Sequence, residues 1–197
     1  MSHSDQIERR VAHADIRIET RAEGGDTIKG HAAVFNALSE DLGGFREKLL
    51  PGAFGNVLRD DVRALINHDS NLVLGRSTSG TLTMSEDEQG LYVEIVPPAT
   101  QAARDLMELM RRGDVTQMSF AFSIRGEDQQ WTENSDGTWL RTIGRVARLH
   151  DVSVVTYPAY PQTDAAVREL RGLRTQRMHG RHDARARQVE LMRISVP

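Results

Sequence analysis

The sequence predicts a mostly β fold with flanking helices, arranged as a closed, largely antiparallel barrel. Three observations predict it. Short runs alternate apolar and polar residues, and turn residues separate them at short intervals. Helical periodicity is confined to two or three segments that do not alternate regularly with strands, which argues against a βαβ arrangement. The two most apolar runs, "QMSFAFSIR" and "RVARLHDVSVVTYPAY", flank a polar hairpin around "ENSDG".

Element by element, "ADIRIETRA" alternates Ile16 and Ile18 with charged neighbours, as a half-buried strand does. "EGGD" turns the chain and "TIKGHAAVFN" returns as a second strand. "LPGAFGNVL" carries Pro51 near a helix start and Phe54, Val57 and Leu58 on one side, so a short helix is expected there. "VRALINH" and "LVLGRS" read as strands flanking a "DSN" turn, and "GTLTMS" and "GLYVEIVP" pair across the acidic hairpin "EDEQG". "QAARDLMELMRR", from Gln101 to Arg112, is an amphipathic helix closed by Gly113. A last helix is expected in "PQTDAAVRELRGL", after Pro161.

Composition narrows the chemistry. The chain has 197 residues, enough for one domain with a tail, and is 39% hydrophobic and 27% charged, as expected of a soluble globular protein. No apolar run approaches the roughly 20 residues that cross a bilayer, and "MSHSDQIERR" has no secretory core, so a cytoplasmic protein is expected. There are no cysteines, which removes disulfides, thiolate metal sites and cysteine nucleophiles. Nucleophilic chemistry is then left to Ser, Thr, Lys or a carboxylate.

Charge is uneven. From Arg168 to Arg193 eight arginines face Glu169, Asp183 and Glu190, a local +5, which leaves −8 on the remainder given the total of −3. The expected organisation is an N-terminal extension at 1–13, a barrel domain at 14–165 and a basic, arginine-rich helix and tail at 166–197.

In "MSFAFSI", Met118, Phe120, Phe122 and Ile124 fall on one face, while Ser119, Ala121 and Ser123 form a small face against which a polypeptide backbone can lie. Ser119 is a candidate nucleophile there, although a strand serine is more often bonded to a neighbouring carbonyl. Asp151 stands in an otherwise apolar strand and needs a partner if buried. An imidazole would satisfy it and hold the ring in the tautomer of a base; an arginine would satisfy it equally well. His68, at the end of "ALINH", is a candidate base, and His150 is expected to point away from Asp151 along their strand. The order His, Ser, Asp matches none of three familiar hydrolase orders, and no G-x-S-x-G elbow occurs. No cofactor is expected. Metal catalysis is disfavoured, because His68, Asp69 and Asp151 lack any paired-histidine spacing such as H-E-x-x-H.

"LLPGAF", "INHD" followed by "LGRS", "GLYVEI", "MSFAF" and "HDVSVVTYPAY", in that succession from about Ile16 to Asp164, resemble the head maturation (prohead) serine proteases of tailed bacteriophages. The resemblance implies a β-barrel of the herpesvirus assembly-protease type with a His–Ser pair and a third polar member. By motif it implies His68 as base, Ser119 as nucleophile and Asp151 as third member. The residue before "VS" is frequently glutamate in that family and is aspartate here; the herpesvirus enzymes use a second histidine, which keeps His150 as an alternative. Oxyanion donors are expected among backbone N–H groups near Arg76 or after Gly144.

The function implied is a serine endopeptidase that cleaves scaffold and major capsid protein, and itself, inside assembling proheads in the host cytoplasm. Self-association is left open and no membrane partner is expected. Two rival readings remain: a catalytically silent assembly factor with the same barrel, and a nucleic-acid-associated protein acting through its basic tail. The acidic body and the lack of interleaved aromatics argue against nucleic acid as the main partner.

Overall fold

The computed structural model describes residues 6–12, 16–21, 25–157 and 166–177. The chain divides into two compact units, Met1–Gln162 and Thr163–Pro197.

Among its described residues the first unit holds twelve strands in three open sheets. These are β1 (Glu8–Ala12), β2 (Ile16–Arg21), β3 (Gly25–Val34), β4 (Phe45–Leu49), β5 (Arg63–Ile66), β6 (Asp69–Arg76), β7 (Leu82–Glu86), β8 (Gly90–Ile95), β9 (Gln117–Ser123), β10 (Gln129–Glu133), β11 (Trp139–Ile143) and β12 (Arg148–Val155). One sheet runs β1-β9-β12-β5-β6, a second β10-β11-β4, a third β2-β3-β8-β7. The expected closed barrel is therefore corrected. Among the described residues no sheet closes on itself, and two pairings, β12 with β5 and β11 with β4, are parallel. Parallel neighbours remote in the chain are invisible to local periodicity, which sees only strands and hairpins.

Helix α1 (Gln101–Arg112) forms as expected. Thr100 caps it by accepting from the Ala103 N–H, and Gly113, at φ 81°, ends it in the left-handed region with Asp114 N–H reaching back to the Leu109 carbonyl. Ala103 and Leu106 are its buried positions. In the second unit, residues 166–177 form helix α2; the rest of the arginine-rich segment, from 178 onward, lies outside the described residues, as does Pro161.

One local expectation changes. "LPGAFGNVL" is not helical. Its backbone closes successive three-residue turns (Ala53 to Leu50, Val57 to Phe54, Asp60 to Val57), beginning at Gly52 with φ 87°, a conformation that no right-handed helix contains. The segment at 1–13 contributes β1, which pairs antiparallel with β9 and sets Val11 opposite Ser119.

One hydrophobic core takes in the inner face of the five-stranded sheet through Met118, Phe120 and Phe122 of β9, Leu149, Val152 and Val154 of β12, and Ala64 and Ile66 of β5. Beside it sits a buried ionic knot. Arg10 of β1 reaches Glu47 of β4 through Nε and Nη2 (2.8 Å each) and Glu8 through Nη2 (2.7 Å). Arg141 of β11 donates to both carboxylates at 2.7–2.8 Å. Burial alone would raise the Glu8 carboxyl, but the bonds and charges of Arg141 and Arg10 hold it below the usual range.

Candidate active site

The outer face of the five-stranded sheet carries the predicted residues. β5 and β6 join through a two-residue turn, Asn67-His68, with both residues at positive φ (52° and 57°), as a type I′ hairpin requires. The expected "DSN" turn is thus displaced: Asp69, Ser70 and Asn71 belong to β6, and His68 sits at the hairpin tip. Asn tolerates the left-handed region; histidine does so less readily, and such backbone strain concentrates where a side chain must be aimed.

Asp151 reaches the same face through an irregularity. On β12, Leu149 pairs with Phe122 and Asp151 with Ala121, so His150 is the extra residue of a β-bulge. Before the bulge the odd position Leu149 faces the core; after it Val152 and Val154 do, and Asp151 and Ser153 turn outward. Without the bulge the Asp151 carboxylate would be driven into the apolar core. Ser119 lies opposite Ser153, with Ala121 and Ser123 continuing the small face.

The three side chains converge. His68 Nε2 is 2.8 Å from Ser119 Oγ, and His68 Nδ1 is 2.6 Å from Asp151 Oδ1. An ionised carboxylate only accepts, so Nδ1 carries the proton and the Nε2 lone pair faces the hydroxyl. Ser119 and Ser153 have no exposed surface, and the His68 side chain is 8% exposed. Of the two partners foreseen for Asp151, the structure supplies the imidazole rather than an arginine.

Ser153 was not foreseen. Its Oγ donates to Asp151 Oδ1 (2.8 Å) and lies 3.2 Å from His68 Nδ1. Its i+2 spacing from Asp151 on an outward-facing strand was the available signal. His150 corrects a different expectation. The bulge brings its ring to this same outer face, where Nε2 meets Ser123 Oγ at 3.1 Å, not Ser119. Asp69 is turned into its own loop, accepting from Asn71 N–H and Nδ2 at 2.9 Å, so it does not join His68 and Asp151.

Five of the foreseen oxyanion donors are already committed. Arg76 N–H goes to Thr81 Oγ1 (2.9 Å), Gly144 and Arg145 N–H to the Asp128 carbonyl (2.9 and 3.3 Å), Val146 N–H to Ala53 (2.7 Å) and Ala147 N–H to Ser123 (2.9 Å). A spent donor cannot stabilise a developing charge without breaking its bond.

A family model described as caudovirus prohead serine protease matches residues 13–178. The chain belongs to that family. The matched span contains His68, Ser119, Asp151 and Ser153, and leaves β1 outside it. No curated protein sequence matches this prohead serine protease family member. Among solved structures it is similar to the bacteriophage T4 capsid assembly protease, gp21, at 10% identity over 75% of this chain and 98% of that one, with a TM-score of 0.40.

Proposed function

We propose that this prohead serine protease family member is an active endopeptidase of phage head maturation, with Ser119 as nucleophile, His68 as general base and Asp151 as third member. The observation that carries the reading is the unbroken hydrogen-bonded relay from Asp151 through His68 to Ser119, assembled from two strands and a hairpin tip remote in the chain. Neutral His68 takes the Ser119 proton at Nε2 as Oγ attacks a peptide carbonyl. The carboxylate of Asp151 stabilises the imidazolium that forms, and the same proton then passes to the leaving amine. Water, activated by His68 in turn, releases the acyl group.

The substrates we assign are major capsid protein and scaffold segments, and the chain itself, inside the assembling head. No helix among the described residues is long and apolar enough to cross a membrane.

One observation favours the rival reading of a silent assembly factor: Ser119 is fully buried. In the peptidase reading, the cover over Ser119 must move before a polypeptide carbonyl reaches it. Co-expression with the capsid and scaffold proteins separates the two. Cleavage that disappears in Ser119→Ala supports the peptidase, while an intact wild-type mixture, or cleavage that persists in the mutant, rejects this nucleophile. A fluorophosphonate probe adds a direct readout, since its adduct should map to Ser119 and form faster under mild destabilisation.

A further inference from the structure

The relay leaves the Ser153 hydroxyl without a role, although it touches two of the relay's members. It is fully buried, at the middle of β12, with Ser119 as its neighbour on β9 and Leu65 on β5. A buried strand hydroxyl is commonly satisfied by a nearby backbone carbonyl. This one is aimed at Asp151 Oδ1 (2.8 Å), the same oxygen that receives the His68 Nδ1–H at 2.6 Å.

We propose that Ser153 is a fourth, positioning member of the site: its hydroxyl holds the Asp151 carboxylate and selects the working tautomer of His68. The inference rests on the peptidase reading above.

The tautomer selection follows from proton counting. Ser153 has one hydroxyl proton, and an ionised carboxylate is the stronger acceptor, so that proton goes to Oδ1. The hydroxyl oxygen then offers only lone pairs to His68 Nδ1, 3.2 Å away. Both groups facing Nδ1, the carboxylate and the Ser153 oxygen, therefore accept, and both demand that Nδ1 carry the proton. The Nε2 lone pair is left for Ser119, 2.8 Å away. If the proton sat on Nε2 instead, Nδ1 would face the carboxylate lone pairs, and the Ser153 hydroxyl could donate to it only by giving up its bond to Asp151.

The second effect is on charge. With two donors on one oxygen, part of the Asp151 charge is spent on the hydroxyl. Removing that donor concentrates the charge on the imidazole and stabilises its protonated form.

Ser153→Ala is therefore expected to lower kcat about tenfold to a hundredfold, the scale of losing one donor to a buried charge. KM should hold, since the hydroxyl touches no substrate, and the acid limb of the kcat/KM profile should move to higher pH. Ser153→Thr, which keeps the hydroxyl, should recover most of kcat and the original limb. Unchanged kcat, or a limb that stays or moves lower in Ser153→Ala, overturns the proposal.

A second measurement needs neither turnover nor a change at Ser153. In Ser119→Ala protein, the His68 Nδ1–H should give a downfield proton resonance with a nuclear Overhauser effect to a slowly exchanging Ser153 hydroxyl proton. Absence of that cross-peak beside a resolved Nδ1–H, or a proton found on Nε2, overturns the proposal even if Ser153→Ala fails to fold. If cleavage persists in Ser119→Ala, the nucleophile assignment falls, while this spectrum still decides the Ser153 contact.

Discussion

Asn67 and Thr156, 89 residues apart, clasp each other: the Thr156 N–H donates to Asn67 Oδ1 (2.9 Å), and Asn67 Nδ2 donates to Thr156 Oγ1 (3.1 Å). Asn67 N–H adds a bond to the Val154 carbonyl (2.9 Å). The clasp fastens the β5–β6 hairpin to the end of β12, so the strand that carries Asp151 also fixes the tip that carries His68.

Two substitutions separate the clasp from the turn. Asn67→Gly keeps the positive φ at no steric cost but loses the side-chain bonds to Thr156; cleavage is expected to fall roughly tenfold and stability by about 1–2 kcal/mol. Asn67→Ala loses the bonds and strains the turn, so stability should drop by a further ~1 kcal/mol. Full activity in Asn67→Gly would show that the hairpin holds His68 unaided.

How much was legible follows from where the signals lie. Ser119 and its small-residue face could be read from β9 because strict alternation survives there. β1 and β4 could not: in β1 the inward positions are Glu8 and Arg10, so a periodicity that sorts apolar from polar reads the strand inverted, and in β4 Glu47 interrupts the inward pair Phe45 and Leu49. The bulge at His150 left one trace, the apolar spacing of three between Leu149 and Val152 where a regular strand spaces by two. Asn67-His68 lacks the glycine that usually marks a type I′ turn, while "DSN" offered a better turn composition one residue later. The open sheets were illegible for another reason: closure is a property of edges, and edges are set by pairings between remote strands.

The ionic knot that hid β1 gives the second prediction. Arg141 is buried and bonded to both Glu8 and Glu47, whose charges hold its guanidinium protonated against burial. Arg141→Met leaves two buried carboxylates sharing Arg10 alone, and should cost about 3–5 kcal/mol in denaturant unfolding. A loss under ~1 kcal/mol would mean that water reaches the knot and it contributes little.

Close backbone approach gives the third. A Cβ on Gly90 would lie 1.9 Å from the Ala33 carbonyl oxygen and 2.9 Å from its carbon, so Gly90→Ala must push β8 away from β3. Neither contact is the end of a flexible side chain. About 3 kcal/mol of destabilisation is expected, at the upper end for overpacking. A variant with wild-type melting temperature would contradict the contact.

His150 gives a pH dependence with a definite sign. Burial, then the charge of Arg148, holds its imidazole below the ordinary value, against the opposing pull of Asp151 and Asp60. On acidification the unfolded chain takes up this proton before the folded one, so unfolding is favoured as pH falls. The contribution is complete above the unfolded value of about 6.5 and is lost below it. Melting temperature should therefore drop between pH 7.5 and 5, and His150→Gln should flatten that drop. Equal slopes in the two proteins would remove His150 as the source.

Asp151→Asn tests the relay at its least obvious point. The amide is nearly isosteric, so bulge, strand and fold should persist, with an unchanged circular dichroism spectrum. Its chemistry differs in one respect: an amide can present a donor where the carboxylate presents only lone pairs. If Nδ2 faces His68, Nδ1 must accept, the ring proton moves to Nε2, and the lone pair aimed at Ser119 is gone. If Oδ1 faces His68 instead, the tautomer survives but the imidazolium formed during attack has no countercharge. Both orientations slow acylation, the first by about 10⁴ on the precedent of serine-protease triads. Single-turnover cleavage of capsid protein measures the step directly, and fluorophosphonate labelling of Ser119 should slow in parallel. A folded Asp151→Asn protein that cleaves at the wild-type rate would make Asp151 an anchor for the hairpin and not a member of the chemistry.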